Sequence, residues 1–121
     1  MVDFSAEEGY EVLKSLLKAD PWSKRLGEVA IVPVSSPISQ SGLVFFNTLF
    51  DENASCHFAL WSAYPTNLLG ASAEEKDKVW MNESMMHVDF MVGDKSLTIT
   101  GETESWEKIP FFVNGEWNIL P

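Results

Sequence analysis

Two side chains that can bind a metal ion, His87 and Asp89, stand two residues apart in the apolar run SMMHVDFMVG, residues 84–93. In a strand, residues two apart project from the same face, so these two would point together while Val88 and Phe90 pack on the other side. Imidazole and carboxylate together suit zinc, cobalt or manganese. The pair predicts a metal site on one strand face, and a His–Asp hydrogen bond inside a sheet is the alternative.

The only other histidine, His57, follows Cys56 in a second apolar, strand-like segment. It would supply the further ligand that a metal site needs, whereas a core imidazole with satisfied hydrogen bonds is the alternative. Neighbouring residues in a strand face opposite ways, so His57 would be a poor base for a Cys56 nucleophile. We interpret Cys56 as a small buried thiol.

Two further polar groups, Glu28 and Tyr64, carry no functional signal from spacing alone. Glu28 follows Gly27 at the start of an apolar segment, where a carboxylate is most often solvated. Tyr64 precedes Pro65, which favours extended geometry, and by default it is a packing aromatic with a hydrogen-bonded hydroxyl.

The elements that must position these residues begin with a helix in SAEEGYEVLKSLLKADP. Ser5 and Glu8 have the spacing of a capping box, leucines follow at helical spacing, and Pro21 ends the segment. EVAIVPV, starting at Glu28, reads as a strand, and SSPISQSG reads as a polar loop. LVFFNTLF is ambiguous between helix and strand.

The second half of the chain is richer in strand signals. ASCHFALW, MMHVDFMV and SLTIT read as strands, the last two joined as a hairpin through Gly93 and Asp94. FFVNGEWNI contains Asn114–Gly115 between apolar segments, which is typical of a hairpin turn. GASAEEKDKVW predicts a short charged helix. We therefore predict one domain over residues 1–121 with an α+β fold: one or two helices, the N-terminal helix first, and about five strands in a mixed or antiparallel sheet.

Composition narrows the classes of function. The 121 residues carry 8 Lys and Arg against 18 Asp and Glu, a formal charge of -10, so we expect no nucleic-acid partner. No apolar run approaches the ~18 residues that span a bilayer, so we expect no membrane partner. With one cysteine the chain cannot form an internal disulfide, and we expect a cytoplasmic location.

Five strings, RLGEVAIVP, SPISQSG, FFNTLFDENASCH, AYPTN and HVDFMVG, follow one another along nearly the whole chain. Together they closely resemble the metalloaminopeptidase family that includes aminopeptidase T, aminopeptidase S and the PepS-type enzymes. Members of that family are two-metal exopeptidases with an N-terminal α/β domain and a C-terminal catalytic domain. The resemblance implies that residues 1–121 are the C-terminal portion of the catalytic domain, without the N-terminal domain.

The resemblance also implies a ligand set. The family's metal ligands fall, by motif, on Glu28 in GEVA, His57 in ENASCH, Tyr64 in AYP, and His87 and Asp89 in HVD. It implies two divalent ions (zinc, cobalt, manganese or magnesium) in the full-length enzyme, peptide substrates with a free N-terminus, and a homodimeric parent protein.

Two departures from the family pattern bear on this chain. The family uses another glutamate ligand upstream, and no motif in residues 1–27 resembles its surroundings, so we expect an incomplete site without activity in the isolated chain. Trp61 stands where many members have glycine, which we interpret as a change in local packing. The rival hypothesis is a non-catalytic dimerisation or binding module, favoured by the many aromatic residues.

Overall fold

The computed structural model describes residues 3–67 and 81–119. Within these residues there are three short α-helices and six strands, with the first helix ahead of every strand, which confirms the predicted α+β fold. The helices are α1 (Tyr10–Leu16), α2 (Pro37–Ser41) and α3 (Thr48–Asp51), and 3-10 turns cover Glu52–Ala54 and Pro65–Asn67. The strands are β1 (Glu28–Ala30), β2 (His57–Ser62), β3 (Glu83–Met91), β4 (Ile99–Glu102), β5 (Lys108–Val113) and β6 (Glu116–Trp117).

The strands form two small sheets. One has the order β1-β2-β3, and the other has the order β4-β5-β6 with antiparallel pairing throughout. The chain divides into two compact units, the first built from Met1–Val29 and Phe58–Phe90 and the second from Ala30–His57 and Met91–Pro121. The candidate ligand pair, His87 and Asp89, lies in the first unit.

In the first unit the sheet is fixed by apolar contacts on both faces and by polar anchors at its ends. Ala59 and Leu60 of β2 are fully buried, and the Phe58 and Phe90 rings meet edge to face with centroids 6.1 Å apart. Leu17, just past α1, is also buried. The Phe58–Phe90 contact confirms that Phe90 packs on the side of β3 opposite to His87 and Asp89.

Asp20, in the turn after α1, attaches this turn to the start of β3. Its Oδ2 accepts hydrogen bonds from the Ser84 hydroxyl at 2.9 Å and from the Met85 amide at 3.0 Å, and its Oδ1 accepts one from the Trp22 amide at 2.7 Å. Desolvation raises the pKa of Asp20, but the hydrogen bond from Ser84 and those from backbone amides outweigh it, so the pKa lies below the ordinary 3.8. These bonds therefore stabilise the ionised carboxylate.

In the second unit a tight turn organises the sheet. Asn114 and Gly115 have φ angles of 51° and 73°, as a type I′ turn requires, and they join β5 to β6 in the predicted hairpin. The Gly115 carbonyl accepts from the Val34 amide at 2.8 Å, and its own amide donates to the Leu97 carbonyl at 2.9 Å. The turn thus ties two other segments of the second unit to the hairpin.

Three sequence predictions about local structure are wrong. The helix begins at Tyr10 and not after Ser5, because Gly9 is left-handed (φ 70°) and serves as the N-cap without a side-chain bond. Residues 37–41 form α2 and not a loop, since the Ser36 hydroxyl caps the helix and Pro37 opens it.

The third wrong prediction is the hairpin between β3 and β4, because those strands belong to different sheets and β4 pairs with β5. Gly93 does turn the chain with φ 73°, but Asp94 then closes a local turn by accepting hydrogen bonds from the Ser96 amide and hydroxyl. The ambiguous segment LVFFNTLF contributes α3. The helix predicted over residues 70–80 lies outside the described residues.

Among the described residues, no helix has the length and apolar character needed to cross a membrane.

The Asp20 anchor predicts a pH-dependent effect of Asp20→Asn. Because the folded-state pKa is lowered, the stabilisation is complete above the unfolded value near 3.8 and is lost as the pH falls through the lower folded value. We expect Asp20→Asn to lower the urea midpoint at pH 7, and the gap to the wild type to close below pH 3.8.

Asp3→Asn is the matched control, because it removes the same charge from a carboxylate that contacts the neighbouring Phe4 amide. An Asp20→Asn gap that stays constant across the acid range would contradict the anchoring role.

Candidate metal centre

His87 and Asp89 are in direct contact, as their alternation along β3 predicts. Nε2 of His87 lies 3.1 Å from Oδ1 of Asp89, and the side chains are 27% and 12% exposed. The imidazole can donate to the carboxylate oxygen in the tautomer that carries its proton on Nε2. The contact places both donor groups on one strand face, and it is the His–Asp hydrogen bond that the alternative interpretation expects.

The separation of these two atoms suits shared ligation of one cation. Zinc lies ~2.0–2.2 Å from imidazole nitrogen and carboxylate oxygen, which at a tetrahedral angle places the two ligand atoms about 3.4 Å apart. The observed 3.1 Å is close to that value. His87 and Asp89 therefore fit a divalent metal with little rearrangement.

Trp61 of β2 covers one face of the His87 ring. The indole and imidazole centroids are 4.2 Å apart and the rings are inclined by 24°, a stacked arrangement. The indole Nε1 is buried and has no hydrogen-bond partner among the described residues. The position of the indole is therefore set by ring packing within the part of the chain that is described.

The backbone of Trp61 is held from two sides. Its carbonyl accepts a hydrogen bond of 2.7 Å from Nδ2 of the buried Asn82, which also donates to the Arg25 carbonyl at 3.1 Å. A Cβ atom on Gly27 would lie 1.8 Å from the same Trp61 carbonyl oxygen. A side chain at position 27 is thus excluded by backbone that cannot move away without breaking the Asn82 bond.

Glu28 and Tyr64 also lie in the first unit. Glu28 begins β1 directly after Gly27, whose amide donates to the Ala59 carbonyl of β2 at 3.0 Å. Glu28 is half-buried and shares the sheet with β3, with β2 between their strands. Tyr64 follows β2, is 55% exposed, and precedes the 3-10 turn that starts at Pro65.

His57 belongs to the second unit and is buried, with 1% of its surface exposed. Its Nδ1 lies 3.0 Å from the Ser55 carbonyl, a contact that orients the ring. The neighbouring Cys56 is buried, its thiol donating to the Val32 carbonyl at 3.5 Å and accepting from the Val32 amide at 3.3 Å. These contacts agree with a structural role for the thiol.

Comparison with known proteins identifies the family of the chain. The family model for thermophilic metalloproteases (M29) matches residues 1–117. This chain belongs to the M29 metalloprotease family. Relatives of this M29 chain include aminopeptidase 2 of Geobacillus stearothermophilus, 54% identical over 97% of the chain, and aminopeptidase T of Thermus aquaticus, 49% identical over 98% of it. The resemblance read from the five strings is confirmed.

A solved structure, wild-type AmpT from Thermus thermophilus, superposes with a TM-score of 0.83 at 46% identity and covers 98% of the chain. The M29 chain spans 29% of that structure and 29% of the length of the two curated relatives above. The matched relatives are therefore much longer than these 121 residues.

Sequence reasoning missed the contact between Trp61 and His87. Alternation in β2 and in β3 assigns each of these residues to a strand face, but strand order and register decide whether the two rings meet. Neither can be read from one sequence without a turn that joins the two strands. An aromatic residue on a strand next to a candidate ligand was the available signal.

Because a Cβ atom at position 27 would clash with the Trp61 carbonyl, we expect Gly27→Ala to destabilise this M29 chain. Overpacking of this kind costs about 1–3 kcal/mol, and we expect a corresponding fall in the free energy of unfolding measured by urea titration.

Gly101→Ala is the control, since a Cβ atom there would make ordinary contacts of 3.6 Å or more with the Phe111 ring. Equal stability of the two variants would show that the Trp61 carbonyl does not limit position 27.

Proposed function

We propose that this chain is the C-terminal part of the catalytic domain of a metal-dependent aminopeptidase. The contact between His87 Nε2 and Asp89 Oδ1 in a chain of the M29 family is the observation that carries the proposal. The names of the relatives, aminopeptidase 2 and aminopeptidase T among them, support removal of N-terminal residues from peptides as the parent activity. Peptides with a free N-terminus are the proposed substrates.

The proposed ligands are Glu28, His57, Tyr64, His87 and Asp89. Their donor atoms are the imidazole nitrogen, carboxylate oxygen and phenol oxygen, which suit two ions of zinc, cobalt, manganese or magnesium. When bound, such ions lower the pKa of a water molecule and polarise the scissile carbonyl.

The chain's own residues prepare the site in two ways. The contact with Asp89 keeps His87 Nε2 next to Asp89 Oδ1, so the two donor atoms are already adjacent. The carboxylates of Glu28 and Asp89 supply negative charge to offset dications, within a chain whose formal charge is -10. The negative charge of the whole chain thus attracts a cation, and the adjacent His87 and Asp89 donor atoms would bind it.

The parent protein is proposed to be a cytoplasmic homodimer with an additional glutamate ligand upstream of the segment described here. Since the chain spans 29% of the length of its curated relatives, other parts of such proteins would complete the catalytic site. The isolated chain is therefore proposed to bind metal weakly and to lack turnover.

A non-catalytic binding or dimerisation module remains the alternative, because large apolar side chains are exposed in the second unit. The segment 43–50 exposes six of them, including Phe46 at 94%. Exposed apolar patches of this kind mark interaction sites.

Metal stoichiometry tests the site directly. In equilibrium dialysis against excess zinc or cobalt, we expect the wild-type chain to hold at least one equivalent, and His87→Ala and Asp89→Asn to hold less, because each removes one atom of the adjacent pair.

Asp94→Asn is the matched control for Asp89→Asn, since the Asp94 carboxylate accepts hydrogen bonds from Ser96. Equal retention by all variants would exclude the pair as ligands. A metal-free dimer by sedimentation, unchanged in His87→Ala, would favour the binding module.

Activity tests the parent function. A protein extended upstream to the length of its relatives should cleave aminoacyl-nitroanilides, and the 121-residue chain should not. Loss of a residue that hydrogen-bonds to a metal ligand, without touching the metal, reduces activity ~10–100-fold. In the extended protein, His87→Ala removes a proposed ligand itself and should reduce kcat/KM by more than that. An extended protein that binds metal but cleaves neither aminoacyl-nitroanilides nor short peptides would falsify the assignment.

A further inference from the structure

We propose that Trp61 is a positioning residue for His87: its indole, fixed through the Trp61 backbone, holds the imidazole in the orientation that points Nε2 at Asp89. The two rings are stacked with centroids 4.2 Å apart, and Nε2 lies 3.1 Å from Asp89 Oδ1. The consequence for metal binding rests on the proposed function; the positioning of the ring does not.

The imidazole of His87 needs such a restraint. The χ2 torsion of histidine joins sp³ and sp² atoms and has broad minima, so a ring that is partly open to solvent can swing. A hydrogen bond in the ring plane, such as the one between Nε2 and Asp89, does little to resist tilting of the ring out of that plane. An indole lying 24° from parallel against one ring face blocks rotation out of that plane, because any tilt drives the imidazole into the indole.

The indole can act as a fixed wall because its own backbone is anchored. The Trp61 carbonyl accepts the 2.7 Å bond from Asn82, and Gly27 approaches the same carbonyl so closely that no side chain fits there. Both contacts lie within the first unit. A displacement of Trp61 would therefore break a buried hydrogen bond and leave a polar group unsatisfied, which is unfavourable.

The indole nitrogen makes no hydrogen bond to the described residues. A buried Trp N–H usually finds a hydrogen-bond partner. Nε1 of Trp61 is buried and has none among the described residues. Among the described residues, the contact of the Trp61 side chain that bears on His87 is therefore the flat one between the two rings.

The direct test is nuclear magnetic resonance of the metal-free chain. With two histidines in the sequence, His87→Ala assigns the ring protons of His87 by their disappearance. In the wild type we expect those protons to be shifted upfield by the indole ring current and to show contacts consistent with one ring orientation. Trp61→Leu should remove the upfield shift and average the ring orientation, and Trp61→Phe should retain a smaller shift and one orientation.

Trp106→Leu is the matched control, because the Trp106 side chain is 79% exposed and its loss should leave the His87 signals unchanged. If Trp61→Leu does not fold, the milder Trp61→Met carries the same test: averaging of the His87 ring over several orientations supports the proposal, and one fixed ring orientation overturns it. A folded Leu variant in which His87 keeps one ring orientation overturns the proposal.

Cobalt affinity supplies the second readout. Trp61→Leu should weaken cobalt binding about tenfold, as removal of an outer partner of a metal ligand does, with a smaller effect for Trp61→Phe. A folded Trp61→Leu variant with wild-type affinity overturns the positioning role while leaving the proposed function intact. A wild-type chain that binds no cobalt but shows the stacked, ordered His87 ring supports the positioning and counts against a metal site in this chain.

Discussion

The carbonyl of Trp61 is the point on which the geometry of the first unit depends. It accepts a hydrogen bond from the side-chain amide of Asn82, and it leaves room only for a glycine at position 27. The same Gly27 donates to Ala59 and so leads β1 alongside β2. The Trp61 carbonyl oxygen therefore limits how closely β1 can approach β2. It also joins Asn82, the residue before β3, to β2. Through both contacts it holds the backbone that carries the indole ring facing His87. Backbone contacts of this kind are stiff, since neither a carbonyl nor a glycine can relieve a clash by changing rotamer.

Polar groups, more than apolar ones, set the position of β3 in the first unit. Ser84 and Asn82, at the start of that strand, are buried yet hydrogen-bonded to Asp20, Arg25 and Trp61. Apolar contacts tolerate sliding by a residue or more, but a buried hydrogen bond that loses its partner costs far more than it contributes when made. Anchors of this type fix the strand in one register. A strand that must present two donor atoms on one face benefits from that specificity, because a shift of one residue would turn both to the other face.

Local patterns predicted part of this structure and failed where distant segments decide. The alternation of His87 and Asp89 is a property of the strand itself, and so is the Asn114–Gly115 turn, whose positive φ angles match those residue types. The supposed β3–β4 hairpin failed because a turn signal at Gly93 reverses the chain without saying which strand the next one joins. The start of α1 failed because Gly9 adopts a left-handed conformation that a capping-box pattern does not reveal.

The candidate site likewise contains features that local sequence predicts and features that depend on distant segments. The HVD spacing identified the adjacent pair, and only the resemblance gave Glu28 and Tyr64 a role, since nothing in their local sequence distinguishes a ligand from a solvated carboxylate or a packing phenol. Neither the HVD spacing nor the family resemblance predicted the contact of Trp61 with His87. It arises because β2 and β3 are neighbours, with Asn82, just before β3, hydrogen-bonded to the Trp61 carbonyl of β2.

His87 is restrained along two perpendicular directions, as the proposed metal site would require of a partly exposed imidazole. The bond to Asp89 acts in the ring plane, and the Trp61 stack acts along the ring normal. A ring free to rotate would lose that freedom on binding a cation, and the loss would subtract from affinity. Here the freedom is already lost on folding, as part of the same packing that orders β2 and β3. The stability of the first unit and the readiness of the pair therefore have a common origin, and a change that loosens the Trp61 backbone should weaken both together.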